Sequence, residues 1–249
     1  VEQLIWRVEH LAEVDSTNHW LARRASEGAD EGLVVFADFQ SAGRGRLDRV
    51  WQAPARSSLL CSILLRPNLD VDSLQLVVAA VALATRAALV RLSGLRPQLK
   101  WPNDLVVDDT KLAGLLAEVV TVEQGLAVVV GLGLNLTDHP DDVAATDVRA
   151  VTGVTISARG LLDILFEELE PRYELLESAE GRDELRAEYR GSLATIGQRV
   201  RVERSGDAIV GDVTDVDECG RLVVNADGAT MVISTGDVVH VRPQLEAST

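Results

Sequence analysis

Residues 33–65 read LVVFADFQSAGRGRLDRVWQAPARSSLLCSILL: two apolar runs of strand length, Leu33 to Phe39 and Ser58 to Leu65, with a glycine- and arginine-rich loop between them. Apolar runs without polar alternation suit strands covered on both faces. The loop from Gly43 to Trp51 carries Arg44, Arg46 and Arg49 together with Gly43 and Gly45. Arginine offers a planar fork of donors to phosphate or carboxylate oxygens, and glycine lets the backbone approach an anion closely. Two readings stand at this point: an anion clamp held between two core strands, or a solvated loop whose arginines pair with nearby acids.

Outward from this stretch, Asp15-Ser16-Thr17-Asn18 supplies side-chain oxygens ahead of Trp20, Leu21 and Ala25, which predicts a short helix starting there. Ser73 to Ser93 predicts a long buried helix stopping at Gly94; Gln75, Arg86 and Arg91 interrupt its apolar run, which falls short of the roughly 18 to 20 residues of a membrane span. Prolines keep the segment Leu99 to Val107 extended. Lys111 to Val120 and Leu126 to Leu136 predict a pair of buried strands joined by a turn at 123–125, and Thr137 to Thr152 predicts a polar loop. Ile156 to Tyr189 predicts a helical block with breaks near Pro171 and Gly181. From Gly197 the pattern changes to five short strand candidates, 199–203, 208–216, 222–225, 229–233 and 238–242. Tight turns at Ser205-Gly206, Cys219-Gly220, Asp227-Gly228 and Thr235-Gly236 punctuate them, as in a small β-barrel. The expected division is a large domain over 1–196 and a small one over 197–249.

The 249 residues include 24 Lys and Arg against 39 Asp and Glu, a net charge of −15, and the 47% apolar content excludes full-length disorder. An acidic balance argues against a nucleic-acid partner, whose phosphates demand clustered cations, so any anion site must be local. Cys61 and Cys219 lie far apart and offer neither a disulfide framework nor zinc spacing, which points to a reducing cytoplasm. Glu2, Arg7, Glu9 and Glu13 break up any signal-peptide core. His10, His19, His139 and His240 lack metal-ligand or triad spacing, and Gly131-Leu-Gly133-Leu-Asn135 lacks the third glycine of a dinucleotide fingerprint. Lys111, at the start of a predicted buried strand, is either a lysine snorkelling to solvent or a fixed cation facing an anionic substrate.

Taken together, Asp15-Ser-Thr-Asn18, Gln40-Ser-Ala-Gly-Arg-Gly-Arg46 with Arg49 and Trp51, Lys100-Trp-Pro-Asn-Asp104, Lys111-Leu-Ala-Gly114 and Gly131-Leu-Gly-Leu-Asn135 resemble the biotin protein ligases, in that family's order and at compatible spacing. The resemblance implies an α+β fold: a mixed sheet with flanking helices, related to class II aminoacyl-tRNA synthetases, and an SH3-like C-terminal β-barrel. It implies a two-step reaction in which biotin and MgATP give biotinyl-5′-AMP, and the adenylate then acylates a lysine of a biotin carboxyl carrier protein. Transferred position by position, Ser16, Thr17, Asn18 and Gln40 would bond the ureido ring, and Trp51 and Gly114 would line the apolar walls. Arg44, Gly45 and Arg46 would fold over biotin and the adenylate, Arg49 would reach the phosphates, and Lys111 would bridge the biotin carboxylate and the α-phosphate. Asn103 would face the nucleotide or its Mg²⁺, and Asn135 the adenosine; Lys111 and Arg46 carry the catalytic expectation. A lipoate–protein ligase and a non-catalytic biotin-binding module are the alternatives. Asp48 departs from the family loop, which often has glycine there. Fourteen residues precede Asp15, too few for a winged-helix DNA-binding domain, so no repressor role is expected.

Overall fold

The computed structural model describes residues 4–122, 125–140, 144–204, 207–234 and 236–240. In chain order the first part contains β1 (Arg7–Leu11), α1 (Thr17–Ser26), β2 (Leu33–Ala37), β3 (Ser58–Leu65), α2 (Gln75–Ser93), β4 (Gln98–Lys100), β5 (Asp104–Val107), β6 (Thr110–Val122) and β7 (Gly125–Asn135). Three helices follow, α3 (Val148–Thr152), α4 (Ala158–Glu174) and α5 (Ala179–Ser192). The last part is all strand: β8 (Arg199–Arg204), β9 (Asp207–Val216), β10 (Leu222–Ala226), β11 (Ala229–Ile233) and β12 (Asp237–His240).

The larger sheet has seven strands in the order β1-β2-β3-β7-β6-β5-β4. Its β1/β2 pair is parallel and the others are antiparallel. Period-two alternation then sorts the side chains. Leu59, Cys61, Ile63 and Leu65 of β3 join Val128, Val130, Leu132 and Leu134 of β7 beneath the apolar helices α2 and α4. The opposite face packs Leu64, Val35 and Val129 against Leu21 and Ala25 of α1, and beyond α1 it carries small and polar residues instead: Ser62, Gly131, Gly133 and Asn135. One face is therefore core, and the other is half core and half cavity wall.

The five C-terminal strands form an antiparallel sheet in the order β11-β10-β9-β8-β12. Its turn at Gly220 rests against Gln75 and Leu76 at the start of α2. Contrary to the expectation that its apolar run is too short, the segment Val71–Ser93 is long and apolar enough to cross a membrane by length and composition; 67% of its most apolar stretch is nevertheless buried inside the protein, as in a core helix.

Several local expectations need correction. Of the expected buried pair, β7 is buried along most of its length, whereas β6 runs on past Gly114, its last β5 partner, and beyond Leu115 its side chains are only partly buried, with Val119 46% exposed. The expected loop over 137–152 ends in a helix, α3, because Asp147 caps its first turn and Gly153, at φ 73°, closes it. Five residues are too few for periodicity to reveal. Pro171 does not break α4: it lies near the C-terminal end, and Leu169 and Tyr173 on either side of it are buried and hold the helix together. The break falls at Leu175–Ser178, and Gly181 sits in the first turn of α5, where a side chain would meet the Leu175 carbonyl. The turns expected at Ser205-Gly206, at Glu123-Gln124 and at Thr235, the middle of the 137–152 loop (141–143), and residues 241–242 of the last strand lie outside the described residues.

Candidate active site

The site begins at the N-terminus of α1. The Ser16 hydroxyl accepts from His19 N at 3.4 Å as the N-cap, and the Asp15 carboxylate accepts from Ser16 N at 2.7 Å. Capping turns the next two side chains down onto the sheet. Thr17 donates to Gln40 Oε1 from its backbone N at 2.7 Å, and its hydroxyl lies 2.9 Å from the same oxygen. Ser62 of β3 lies 2.9 Å from Thr17 Oγ1 and 2.6 Å from Asn18 Oδ1. Asn18 Nδ2 donates to Leu116 O (3.1 Å) and to Glu118 Oε2 (2.8 Å). Asn18 is only 4% exposed, and it fits because Gly131 beneath it has no side chain.

Further along the same face, Gly133 and Gly114 are paired across β7 and β6 and form a floor. The Trp51 indole lies on this floor: a Cβ on Gly133 would enter the ring, and one on Gly114 would stand 3.1 Å from it. The Trp51 ring nitrogen is buried without a hydrogen-bond partner. Lys111 Nζ sits 5.5 Å from the Trp51 ring centroid and 2.7 Å from Asp104 Oδ1. This is a cation held between an aromatic face and a carboxylate, with its side chain 39% exposed toward the cavity. Lys111 is thus neither buried nor simply snorkelling.

The glycine-arginine loop folds back as a tight hairpin, with Gly45 N donating to Arg49 O at 2.7 Å and Trp51 N to Gly43 O at 3.0 Å. Leu47 and Asp48 take left-handed backbone angles, φ 52° and 58°. That conformation favours glycine and tolerates Asp better than most residues, which explains how Asp48 stands where the family often has glycine. Arg44 pairs with Glu118 (2.7 Å), as a surface ion pair would. Arg46 instead spans the site, donating to Asn103 Oδ1 and to Gly236 O of the C-terminal sheet, both at 3.3 Å. Asn103 is itself oriented by its bond to Leu115 O (2.6 Å). Asn135 donates to Thr146 O at 3.0 Å, tying the segment before α3 to β7.

These groups surround one cavity of about 700 Å³. Every sequence-predicted site residue lines it: Ser16, Thr17, Asn18 and Gln40 at one end, Trp51, Gly114 and Lys111 along the middle, and Arg44, Gly45, Arg46, Arg49, Asn103 and Asn135 at its rim and far end. Sequence reasoning missed Ser62 and Glu118, which orient the recognition end, and Asp104 as the partner of Lys111. It also missed Glu203, Val238 and Val239, by which the C-terminal sheet completes the wall. The KWPND motif could have drawn attention to Asp104; no local signal marks the others.

His10, His19 and His139 each pair with one aspartate, Asp38, Asp15 and Asp147, and among the described residues no group of three His, Cys, Asp or Glu could hold a metal ion. Cys61 also lines the cavity, but burial pushes its thiol up to about 12, which makes it a poor nucleophile near neutral pH. The arrangement therefore suits binding, orienting and neutralising charge.

A mixed seven-stranded sheet with helices on its core face, a small antiparallel C-terminal sheet and a cavity that both sheets wall define the α+β class of the biotin protein ligase structures. The chain belongs to the Biotin/lipoate A/B protein ligase family: residues 11–135 match it, and residues 195–241 match the Biotin protein ligase C terminal domain. It is 38% identical over 247 residues to the biotin--[acetyl-CoA-carboxylase] ligase of Mycobacterium tuberculosis, covering 95% of this chain and 90% of that protein. Its identity to the ligase of the same name from Paracoccus denitrificans is 30% over 240 residues, with 92% and 98% covered. The biotin protein ligase from Aquifex aeolicus in complex with biotin and ATP shares the fold, with a TM-score of 0.82 at 24% identity over 96% of this chain and 100% of that one.

Proposed function

We propose that the chain is a biotin protein ligase, which activates biotin with MgATP to biotinyl-5′-AMP and transfers the biotinyl group to a lysine of a biotin carboxyl carrier protein. The observation that carries this reading is a single cavity with a hydrogen-bonding end at Thr17, Asn18 and Gln40 and a cationic end at Lys111 and Arg46. A ureido ring needs both donors and acceptors, and a carboxylate brought against a polyphosphate needs fixed positive charge.

In the first step a biotin carboxylate oxygen attacks the α-phosphorus, the Pα–O bond to the leaving pyrophosphate breaks, and negative charge crowds around both groups. Lys111, held between Trp51 and Asp104, would bridge the carboxylate and the α-phosphate; Arg46 and Arg49 would neutralise the phosphates. Mg²⁺ would arrive with ATP and keep mainly phosphate and water ligands, with Asn103 and Asp104 as the polar groups of the wall facing it. In the second step the neutral amine of the carrier lysine attacks the acyl carbon and AMP leaves with the bonding pair. No protein nucleophile is needed. Ser16, Thr17, Asn18 and Gln40 would hold the ring, Trp51 and Gly114 would wall the valeryl chain, Arg44 and Gly45 would close over it, and Asn135 would face the adenosine.

In this reading the catalytic unit spans 1–196 and the C-terminal unit 197–249, with Gly197, at φ 77°, at the junction. The reaction consumes ATP and belongs to the cytoplasm. The test is to incubate the purified protein with ATP, Mg²⁺, biotin and an acceptor domain. Biotinylation of one lysine is expected; labelling with lipoate but not biotin, or no labelling, overturns the reading.

A further inference from the structure

Glu118 lies at the end of the row Gly114, Leu116, Glu118 that β6 turns toward the cavity side, and its two carboxylate oxygens serve different elements. Oε2 accepts from Asn18 of α1 at 2.8 Å, and Oε1 accepts from Arg44 of the glycine-arginine loop at 2.7 Å. We propose that Glu118 is a positioning residue for the ligase reaction: it fixes the hydrogen-bond polarity of the ring-binding end and pins the loop that covers it. The inference rests on the biotin-ligase reading above.

The polarity follows from proton counting. A carboxylate and a backbone carbonyl only accept, so Glu118 and Leu116 O commit both N–H bonds of the Asn18 amide and turn its oxygen toward Ser62. The Ser62 hydroxyl has one proton, which goes to Asn18 Oδ1 at 2.6 Å, so Ser62 accepts the proton of the Thr17 hydroxyl at 2.9 Å. Thr17 N can only donate, so Gln40 presents Oε1 to it and directs its amide nitrogen elsewhere. Asn18 and Gln40 both line the cavity, and what they have left to offer it is a second lone pair on Asn18 Oδ1, an acceptor, and the Gln40 amide nitrogen, a donor. A ureido ring, with two N–H groups and one carbonyl, matches that pair.

Removing the charge separates the two duties. In Glu118→Gln one amide oxygen cannot accept from both Asn18 and Arg44; the other partner faces an N–H donor and one of the two contacts is lost. The expected result is a KM for biotin raised about tenfold or more, with the KM for ATP within about twofold of wild type and kcat at saturating biotin within about threefold. Release of bound biotinyl-AMP is also faster. Arg44→Gln keeps the part-buried Asn18–Glu118 bond and, because Arg44 also closes over biotin, is expected to speed adenylate release by a larger factor than it raises the biotin KM; it gives the test a second arm if Glu118→Gln does not fold. An unchanged biotin KM in Glu118→Gln, biotin and ATP KM values that rise together, or unchanged adenylate release in Arg44→Gln would overturn the inference. Wild-type protein that fails to bind biotin would overturn the functional reading instead.

Discussion

Lys111 illustrates how one residue's meaning depends on its neighbours. Alone it could be a strand-end lysine in solvent; between the Trp51 ring and Asp104 it is a cation fixed at the middle of the cavity. Lys111→Ala is expected to lower adenylate formation, read by ATP–pyrophosphate exchange, by about a hundredfold or more, with a much smaller loss of biotin binding. Exchange at the wild-type rate would remove Lys111 from the mechanism. Gly133 has the opposite character, since its contribution is the absence of a side chain. In Gly133→Ala the new methyl enters the Trp51 indole, and overpacking of this kind costs about 1–3 kcal/mol. We expect a folded protein with shifted tryptophan fluorescence and weakened biotin binding, and unaltered affinity would show that Trp51 does not depend on this floor. The strand position of Gly133 was legible in the sequence, where it looked like part of a failed dinucleotide fingerprint; its purpose was not, because Trp51 lies 82 residues earlier in the chain.

At the scale of elements, α1 forms where its capping residues predict, and that start is tied to pH. The Ser16 backbone N–H, and then His19, hold the Asp15 carboxyl below the usual carboxylate range, against the opposing effect of burial. The native state therefore binds this proton less tightly than the unfolded chain. Its stabilisation is complete above the unfolded value of about 3.9 and is lost as pH falls through the lower native value. Asp15→Asn keeps an acceptor for Ser16 N but does not titrate, so the difference in urea midpoint between wild type and variant is expected to shrink below about pH 4. A difference independent of pH would contradict this. Elements with clear punctuation, the start of α1, β3 and α2 with its Gly94 stop, were legible almost to the residue. Those whose boundaries depend on packing, such as the run of α4 through Pro171 and the overhang of β6, were not.

At the scale of the molecule, the two sheets meet at the catalytic wall. Trp101 of the KWPND motif is 1% exposed and donates from its ring nitrogen to Gly220 O of the C-terminal sheet at 3.0 Å, while Arg46 reaches Gly236 O. Trp101→Phe keeps most of the apolar ring and removes that donor, leaving a carbonyl unpaired. The expected cost is about 1–2 kcal/mol, a fall of about 2–8 °C in Tm, with adenylation slowed more than biotin binding is weakened. An unchanged Tm would mean that the Trp101–Gly220 bond does not join the sheets. The sequence marked both partners, one in a motif and one in a turn, without any sign that they touch.

By itself the sequence determined the order of the elements other than β1 and α3, and the change to short strands after Gly197, because period, capping and composition act within a few residues; the residues that gather around the cavity came from the resemblance of its motifs to a family. Only the tertiary structure decided which strands lie side by side, and with that the Asn18–Glu118 bond across 100 residues, the glycine floor under Trp51 and the share of the C-terminal sheet in the site. The reason is physical: burial of the apolar face against α2 and α4 selects the pairing and register of the sheet, and the polar face inherits its juxtapositions from a choice made on the other side.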